Sequence, residues 1–540
     1  MAPSGRPSFI LVLALLSAIP YLCFFSHLDA LGLVGPDEPR YAAVAREMAE
    51  SGDWVTPRLN GQPWFEKPAL YYWCAALAFR AFGVNEIAAR LPSALAALLA
   101  TLTMAWAAWR RYGRTATWAV LLIFPTCVGA IGFARAATPD MLFSAMLTAA
   151  MIAAYSLVEN DLDRAAPRRL ARVAFGVFLG AAALAKGPAA IVLAAGSAGL
   201  WALGTGRWRA ALRLAHPIAM AAFCATALPW YVVCAARNPD LARTFLFAHN
   251  VERYLTPVFH HVQPFWFFSP VILLGLLPWT LLLAGVARDA LALVPRKRWA
   301  NSPGFFFACW AVFPVLFFSF SQSKLPGYVL PAIPPLVLLL ARSTTRWIEE
   351  KGVFARCLCA GIGATFVGLA AGSGYWLRRL PLESGLAESR RFLAWMVLAM
   401  AGGLAIAVSA LMRRPGAALL VTALLMAGLV GAANRRVLPQ LDAYLSPRAA
   451  ARAGQDRAAA GQHFAVFRLH RAWHYGLNFY LHRELPEWTR QSLHGGPESV
   501  YTTPAGLAEL QRQGVSATVV DQTSPRAWLV RVSGASEQSE

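Results

Sequence analysis

The sequence predicts an all-α polytopic membrane bundle with about 13 transmembrane helices, amphipathic juxtamembrane helices and a small C-terminal α/β domain. Three observations predict it. Of 540 residues, 57% are hydrophobic and 14% charged, a balance at which a soluble chain would precipitate. Apolar runs of roughly 18 residues or more recur over the first four-fifths, each able to cross ~30 Å of hydrocarbon as a helix. Arginine clusters then occupy every second connection between those runs.

The first run, about Ser8 to Phe25, lacks a small-residue cleavage pattern before Ser26-His27-Leu28 and reads as a retained helix, with a removed signal peptide as the other reading. Twelve further spans are expected to start near residues 90, 116, 139, 171, 189, 214, 267, 305, 326, 357, 391 and 417. Arg110/Arg111/Arg114, Arg164/Arg168/Arg169/Arg172, Arg207/Arg209/Arg213, Arg296/Lys297/Arg298, Arg342/Arg346/Lys351/Arg356 and Arg413/Arg414 lie in alternate connections, which the positive-inside rule places in the cytoplasm. The N-terminus is then cytoplasmic, while loops about 28–88 and 236–265 and the tail face outside. The net charge of +21 is explained by this topology, so nucleic-acid binding is excluded as the first reading. The eight cysteines lie mostly in apolar segments, with no CxxC spacing and none after Cys359, and read as small core residues.

Two domains are expected: 1–439 in the membrane and 440–540 outside it. In the tail, short apolar runs at His463–Leu469, Val515–Val520 and Ala527–Val532 read as strands, with helices at about 472–482 and 504–513. His463, His470, His474, His482 and His494 are scattered without metal spacing and read as structural. No internal repeat supports an inverted-repeat transporter.

The chemistry is expected in the first outside segment. Glu38 to Glu50 reads as an amphipathic helix with Tyr41, Val44, Ala45 and Met48 on one face, stopped by Ser51-Gly52 and able to lie on the membrane surface. Asp37 at its start reads blandly as an N-cap. Glu66-Lys67, between aromatic and proline residues at the mouth of the bundle, must be paired with each other or engage a ligand. The chain has 44 Arg and only five Lys, and Lys67, Lys186 and Lys324 fall at outside ends of spans. A compact ammonium suits point contact with phosphate oxygens; snorkelling at helix ends is the bland alternative. With Asp140 after Thr138-Pro139, and with His249, Arg253 and Tyr328, one face of the bundle collects cations and a few carboxylates, suited to an anionic lipid head group such as a lipid-linked sugar phosphate.

Asp37-Glu38-Pro39-Arg40-Tyr41 and Phe65-Glu66-Lys67-Pro68 with Leu70-Tyr71-Tyr72-Trp73 are the most specific motifs. Thr138-Pro139-Asp140, Ala185-Lys186-Gly187-Pro188, His249-Asn250 with Arg253, Pro264-Phe265-Trp266, Leu277-Pro278-Trp279 and Lys324-Leu325-Pro326 follow in order. Together they resemble the GT-C class lipid-to-lipid glycosyltransferases, most closely the 4-amino-4-deoxy-L-arabinose (aminoarabinose) transferases of lipid A, related to protein O-mannosyltransferases. Ala69 stands where a second proline commonly follows, and Gly327 where threonine often sits. The resemblance implies a Gram-negative inner-membrane enzyme with its C-terminal domain in the periplasm. Its donor would be an undecaprenyl-phosphate-linked aminosugar and its acceptor a phosphate of lipid A or a related glycolipid, joined with inversion. That reaction modifies lipopolysaccharide in the manner linked to polymyxin resistance. Arg40, Lys67, Lys186 and Lys324 would bind phosphate with Tyr328 as hydrogen-bonding partner, and Tyr41 and Arg253 would complete the substrate site. Asp37 and Asp140 would orient the acceptor, bind the sugar amine or stabilise charge at the anomeric carbon. Glu66 and His249 would hold a divalent, zinc-like metal; no organic cofactor is expected. Transfer of another sugar, such as glucosamine or mannose, to lipid A, a glycan or protein is the alternative within the class. A lipid or solute transporter or flippase, and a structural scaffold, are the alternatives outside it; a transporter would spread its charges through mid-membrane positions.

Overall fold

The structure, a computed structural model, describes residues 14, 17–159, 165–256, 261–293, 302–350, 352–377, 390–459, 461–489 and 498–533. Most of the expected first span, Arg164, Arg296, Lys297, Arg298, Lys351 and His494 lie outside them.

Among the described residues, seven helices are long and apolar enough to cross a membrane: Glu86–Tyr112, Pro139–Val158, Pro217–Arg237, Pro326–Glu350, Val353–Ser373, Ala394–Leu411 and Pro415–Arg436. Ala189–Thr205 and Pro303–Ser319 are shorter apolar helices. Ala165–Lys186 is long, but Arg168, Arg169 and Arg172 make its first turns strongly basic. The spans expected to start near 116 and 267 are not straight. Arg114–Thr126 and Val128–Ala134 bend by 60°, and Phe265–Gly275 and Thr280–Ala292 by 112°. The two breaks satisfy each other: Val128 N donates to Leu277 O at 2.9 Å and Trp279 Nε1 to Thr126 Oγ1 at 2.9 Å. Apolar length alone passes over such a break, although Pro125-Thr126 at one and Pro278 at the other mark the places.

The elements that shape the outer face are α1 (Asp37–Ser51), α2 (Leu70–Phe82), α3 (Glu86–Tyr112), α4 (Pro139–Val158), α5 (Ala165–Lys186) and α6 (Ala189–Thr205). Helix α1 ends at Gly52, whose φ of 72° needs the left-handed region that glycine enters freely. The expected apolar face is buried, but so are Ala42, Ala43 and Arg46, so α1 is enclosed rather than laid flat with one face in water. Arg46 Nη1 donates to Phe479 O at 2.6 Å and brings α7 (Arg471–Tyr480) down onto it.

The described residues from 440 onward carry the three strands expected in the tail, assembled with a fourth into one mixed sheet. Its strands are β1 (Phe464–Phe467), β2 (Glu498–Thr502), β3 (Ser516–Ser524) and β4 (Ala527–Ser533), in the order β1-β2-β4-β3, with β1 and β2 parallel and the other pairs antiparallel. Strand β2 was not foreseen, since Glu498-Ser499 dilutes its apolar alternation. The Ala/Arg-rich connector is a helix, Arg448–Ala459, as alanine propensity favours. His470 accepts a capping bond from Ala472 N and His474 Nε2 bonds Leu485 O at 2.8 Å, so both histidines serve the fold.

This unit is tied to the membrane part by polar contacts. Asp442 Oδ1 accepts from Gly32 N at 2.7 Å, Tyr480 Oη from Leu33 N at 2.8 Å, and Glu86 from Arg448 and Tyr480.

Candidate active site

Two buried glutamates of the first outside segment anchor different things. Glu38 accepts from Arg90 through both oxygens, at 3.0 and 2.7 Å, and also from Val34 N and Ala137 N. Arg90 spends its remaining donors on the carbonyls of Leu28, Leu31 and Gly32. This knot fixes the segment before α1 to α3 and to the turn that leads into Asp140. The sequence held a clue to it: Arg90 is a cation at the outer end of an apolar span, against the positive-inside trend.

Glu66, between α1 and α2, is the centre of the second cluster. Arg40 Nη2 lies 2.9 Å from Oε2, Lys67 Nζ 3.3 Å and Arg253 Nη1 3.7 Å from Oε1, and the buried Tyr41 hydroxyl donates at 3.4 Å. Burial alone would raise the Glu66 carboxyl, but Lys67, Arg40, Arg253 and His249 together hold it down at about 2. Burial lowers the Lys67 ammonium; Glu66 opposes this, while Arg253 and Lys186 reinforce it. Burial likewise lowers His249, with Glu66 opposing and Lys67 and Arg253 assisting, so the imidazole is neutral near pH 7.

Asp37 is not an N-cap. Pro36 occupies that position without a side-chain bond, and the half-exposed Asp37 carboxylate accepts from Arg40 Nη2 at 2.6 Å. Arg40 thus bridges Asp37 and Glu66, and its guanidinium is enclosed by the rings of Tyr41, Trp64 and Tyr475, whose centroids lie 5.4, 5.6 and 5.7 Å away. Tyr475 belongs to α7, so the tail unit walls one side of the cluster. That residue carried no signal in the sequence, because its role exists only through docking.

Asp140 and Lys186 form an ion pair from opposite helix ends. Asp140 sits in the first turn of α4 and Lys186 is the last residue of α5, so each charge meets the helix dipole favourably. A Cβ at Gly327 would lie 2.5 Å from Asp140 Oδ1, so the missing side chain makes room for this carboxylate. The Lys186 ammonium stands 5.3 Å from the Tyr328 ring centre, with the Arg253 guanidinium at 6.0 Å.

A cavity of about 80 Å³ opens here, lined by Lys67, Lys186, His249, Asn250, Arg253 and Tyr328 together with Phe143, Ala189, Tyr254, Phe318 and Ser321. Most of the expected residues therefore meet at one outer mouth. Four cations (Arg40, Lys67, Lys186, Arg253) face three carboxylates (Asp37, Glu66, Asp140), which leaves positive charge for an anion. Lys324 is placed differently: its buried ammonium donates to Ser321 O at 2.6 Å and it is absent from the cavity wall. It braces a turn that Gln322 N ties to Tyr254 O, aligning the second outside loop. Phe143 and Phe318 were not singled out in advance; apolar wall residues look like any core residue in one dimension.

Over its whole length the chain superposes on a solved transferase. The apo crystal structure of ArnT from Cupriavidus metallidurans matches with a TM-score of 0.77 and 25% identity, covering 99% of this chain and 100% of that one. The fold is that of ArnT. The same protein bound to undecaprenyl phosphate matches with a TM-score of 0.76 at 24% identity. Residues 9–245 match the dolichyl-phosphate-mannose-protein mannosyltransferase family. Two curated relatives are named undecaprenyl phosphate-alpha-4-amino-4-deoxy-L-arabinose arabinosyl transferase. The one from Edwardsiella ictaluri is 34% identical over 59% of this chain and 56% of its own length. The second, from Sodalis glossinidius, is 34% identical over 61% and 58%. The chain thus spans less than two-thirds of these relatives in sequence, while the likeness to ArnT in three dimensions extends through the sheet-bearing tail.

Proposed function

We propose that the protein is an integral inner-membrane glycosyltransferase that moves 4-amino-4-deoxy-L-arabinose from undecaprenyl phosphate to a phosphate of lipid A on the periplasmic face. The observation that carries it is the cationic outer cavity, where Lys67, Lys186 and Arg253 converge beside one buried carboxylate and one neutral imidazole. The topology that suits this reading has thirteen spans, a cytoplasmic N-terminus and a periplasmic tail unit.

The acceptor phosphate is an anion near neutral pH, so no strong base is required. Its oxygen attacks the anomeric carbon from the face opposite the donor, which inverts that centre. The bond from carbon to the undecaprenyl phosphate oxygen breaks, and its electron pair leaves with the phosphate. Charge grows on that leaving group, and Lys67, Lys186 and Arg253 are fixed donors for it. Their preorganisation comes from Glu66 and Asp140, which hold the cations in place and reduce their mutual repulsion. Asp37, half-exposed at the rim, suits an aminosugar ammonium or the incoming acceptor.

Glu66 and His249 offer an ionised carboxylate and a neutral imidazole, a donor pair that zinc accepts. Among the described residues no group of three or more His, Cys, Asp and Glu could hold a metal ion. Were an ion bound, Glu66 and His249 would hold it and it would supply Lewis-acid stabilisation of the phosphate.

The likeness to the mannosyltransferase family keeps another sugar as the second reading. Mass spectrometry of lipid A from matched cells with and without the protein, supplied with the undecaprenyl-linked aminosugar, separates the readings. An aminoarabinose increment that disappears with Asp37→Asn is expected. A hexose or hexosamine increment would replace the sugar, and unchanged lipid A would overturn the acceptor.

A further inference from the structure

At the opposite end of α3, α4 and α5 lies a much larger cavity, of about 830 Å³. Its wall is apolar along Leu102, Trp106, Leu170 and Phe178, and it is open to the side, with Trp106 and Leu170 strongly exposed. At one end stand Arg110 and Arg111, in a connection that the positive-inside rule assigns to the cytoplasm. From Leu102 to Arg110 is eight helical residues, about 12 Å, close to the ~15 Å hydrocarbon depth of one leaflet. The groove therefore has the length of half a bilayer and its charge at the end where that leaflet has its head groups.

Two details distinguish it from an ordinary lipid-facing surface. The Arg111 guanidinium is set over the Tyr155 ring, 4.6 Å from its centre, and so points along the groove wall rather than out to water. The buried Tyr155 hydroxyl meets no hydrogen-bond partner among the described residues, an unmet need that costs free energy in an apolar setting. Arg110 is exposed, and no carboxylate among the described residues bridges it.

We propose that this groove binds one anionic glycerophospholipid of the cytoplasmic leaflet. Its phosphate lies against Arg110 and Arg111 within reach of the Tyr155 hydroxyl, and an acyl chain lies along the apolar wall. Anionic lipids are concentrated at that face, and each basic side chain near the surface favours them. The ligand also has a place to act from. Helices α4 and α5 form two walls of the groove, and their far ends carry Asp140 and Lys186. A lipid held against both helices bears on the spacing of that pair, of which Lys186 lines the outer cavity.

Native mass spectrometry of the full chain released from nanodiscs of equal phosphatidylglycerol and phosphatidylcholine tests the proposal. One phosphatidylglycerol should remain bound at activation energies that strip phosphatidylcholine. Arg110→Gln should cut that retention at least threefold. Ala153→Phe, which fills the groove and leaves both arginines in place, should cut it at least tenfold. Both variants should elute as the wild type does on size exclusion, since neither breaks a contact within the protein. Equal retention of the two lipids, retention unchanged in either variant, or a polyprenyl phosphate held there in place of phosphatidylglycerol would each overturn it.

Discussion

Glu38 and Glu66 are both buried, both paired with arginine and only 28 positions apart, yet they do opposite work. Around Glu38 every charge is saturated: one arginine takes both carboxylate oxygens and gives its other donors to three carbonyls, with two backbone N–H groups closing the rest. Glu38 lines neither cavity described above. Around Glu66 three cations share one carboxylate at 2.9 to 3.7 Å, and two of them also line a cavity. A saturated knot stabilises position; an oversupplied one keeps binding capacity for something that is not protein. The distinction is one of donor accounting, and it predicts different consequences for the two sites.

The largest expected effect is at the oversupplied cluster. Lys67→Ala removes the cation most directly aimed at the cavity, and transfer should fall at least 100-fold, on the order of 3 kcal/mol of transition-state stabilisation. Thermal stability should hardly move, because Glu66 keeps Arg40 and Arg253. Near-normal turnover in a lipid-transfer assay would remove Lys67 from the site and break the comparison at its functional end.

The converse change is Arg90→Met. It strands a buried carboxylate, and such a deletion costs about 3–5 kcal/mol. The expected result is a large drop in the unfolding midpoint in detergent, with transfer lost only in proportion to unfolded protein. Glu38→Gln/Arg90→Met, which removes both charges, should recover part of that loss. If Arg90→Met were stable but inactive, the knot would be part of the chemistry after all.

A subtler test uses pH. Lys67 must be protonated to hold phosphate, and its burial places its deprotonation below the ordinary lysine value of 10.5. Transfer should therefore decline on the alkaline side before pH 10.5, fully present below that limb and lost as pH rises through it. Lys67→Arg keeps a cation that does not titrate in this range, and so should carry the plateau to higher pH even at a reduced maximum rate. A limb unmoved by that substitution would assign it to another group.

How much of this was readable in advance follows the same division. Lysine scarcity, with Lys67 and Lys186 at span ends, and the motifs Asp37–Tyr41 and Phe65–Pro68 announced the site, because ionisable groups beside a membrane need a reason to be there. Two of the tail's helices and three of its strands were visible as short periodic runs. What stayed hidden depended on partners remote in sequence. Glu38 finds Arg90 52 positions away, Tyr475 reaches Arg40 from the tail, and the bends near Cys127 and Pro278 form because two breaks pair. Lys324 shows the limit from the other side. Its residue type and place matched Lys186, yet its ammonium turns onto Ser321 O, and only side-chain geometry separates a ligand-facing lysine from one that braces a turn.

The smallest expected effect lies in the tail, where histidines occur without any oversupply of donors. His470 caps α7 by accepting from Ala472 N at 3.2 Å near solvent. Loss of such a cap costs ~0.5–1 kcal/mol, so His470→Ala should lower the unfolding midpoint slightly. Transfer should change less than twofold, because Tyr475, which walls Arg40, is held through Arg46 and Phe479 as well as through the cap. A transfer defect much larger than the stability change would mean that α7 is set by its first turn. The tail would then belong with the Glu66 cluster, as part of the site rather than its cover.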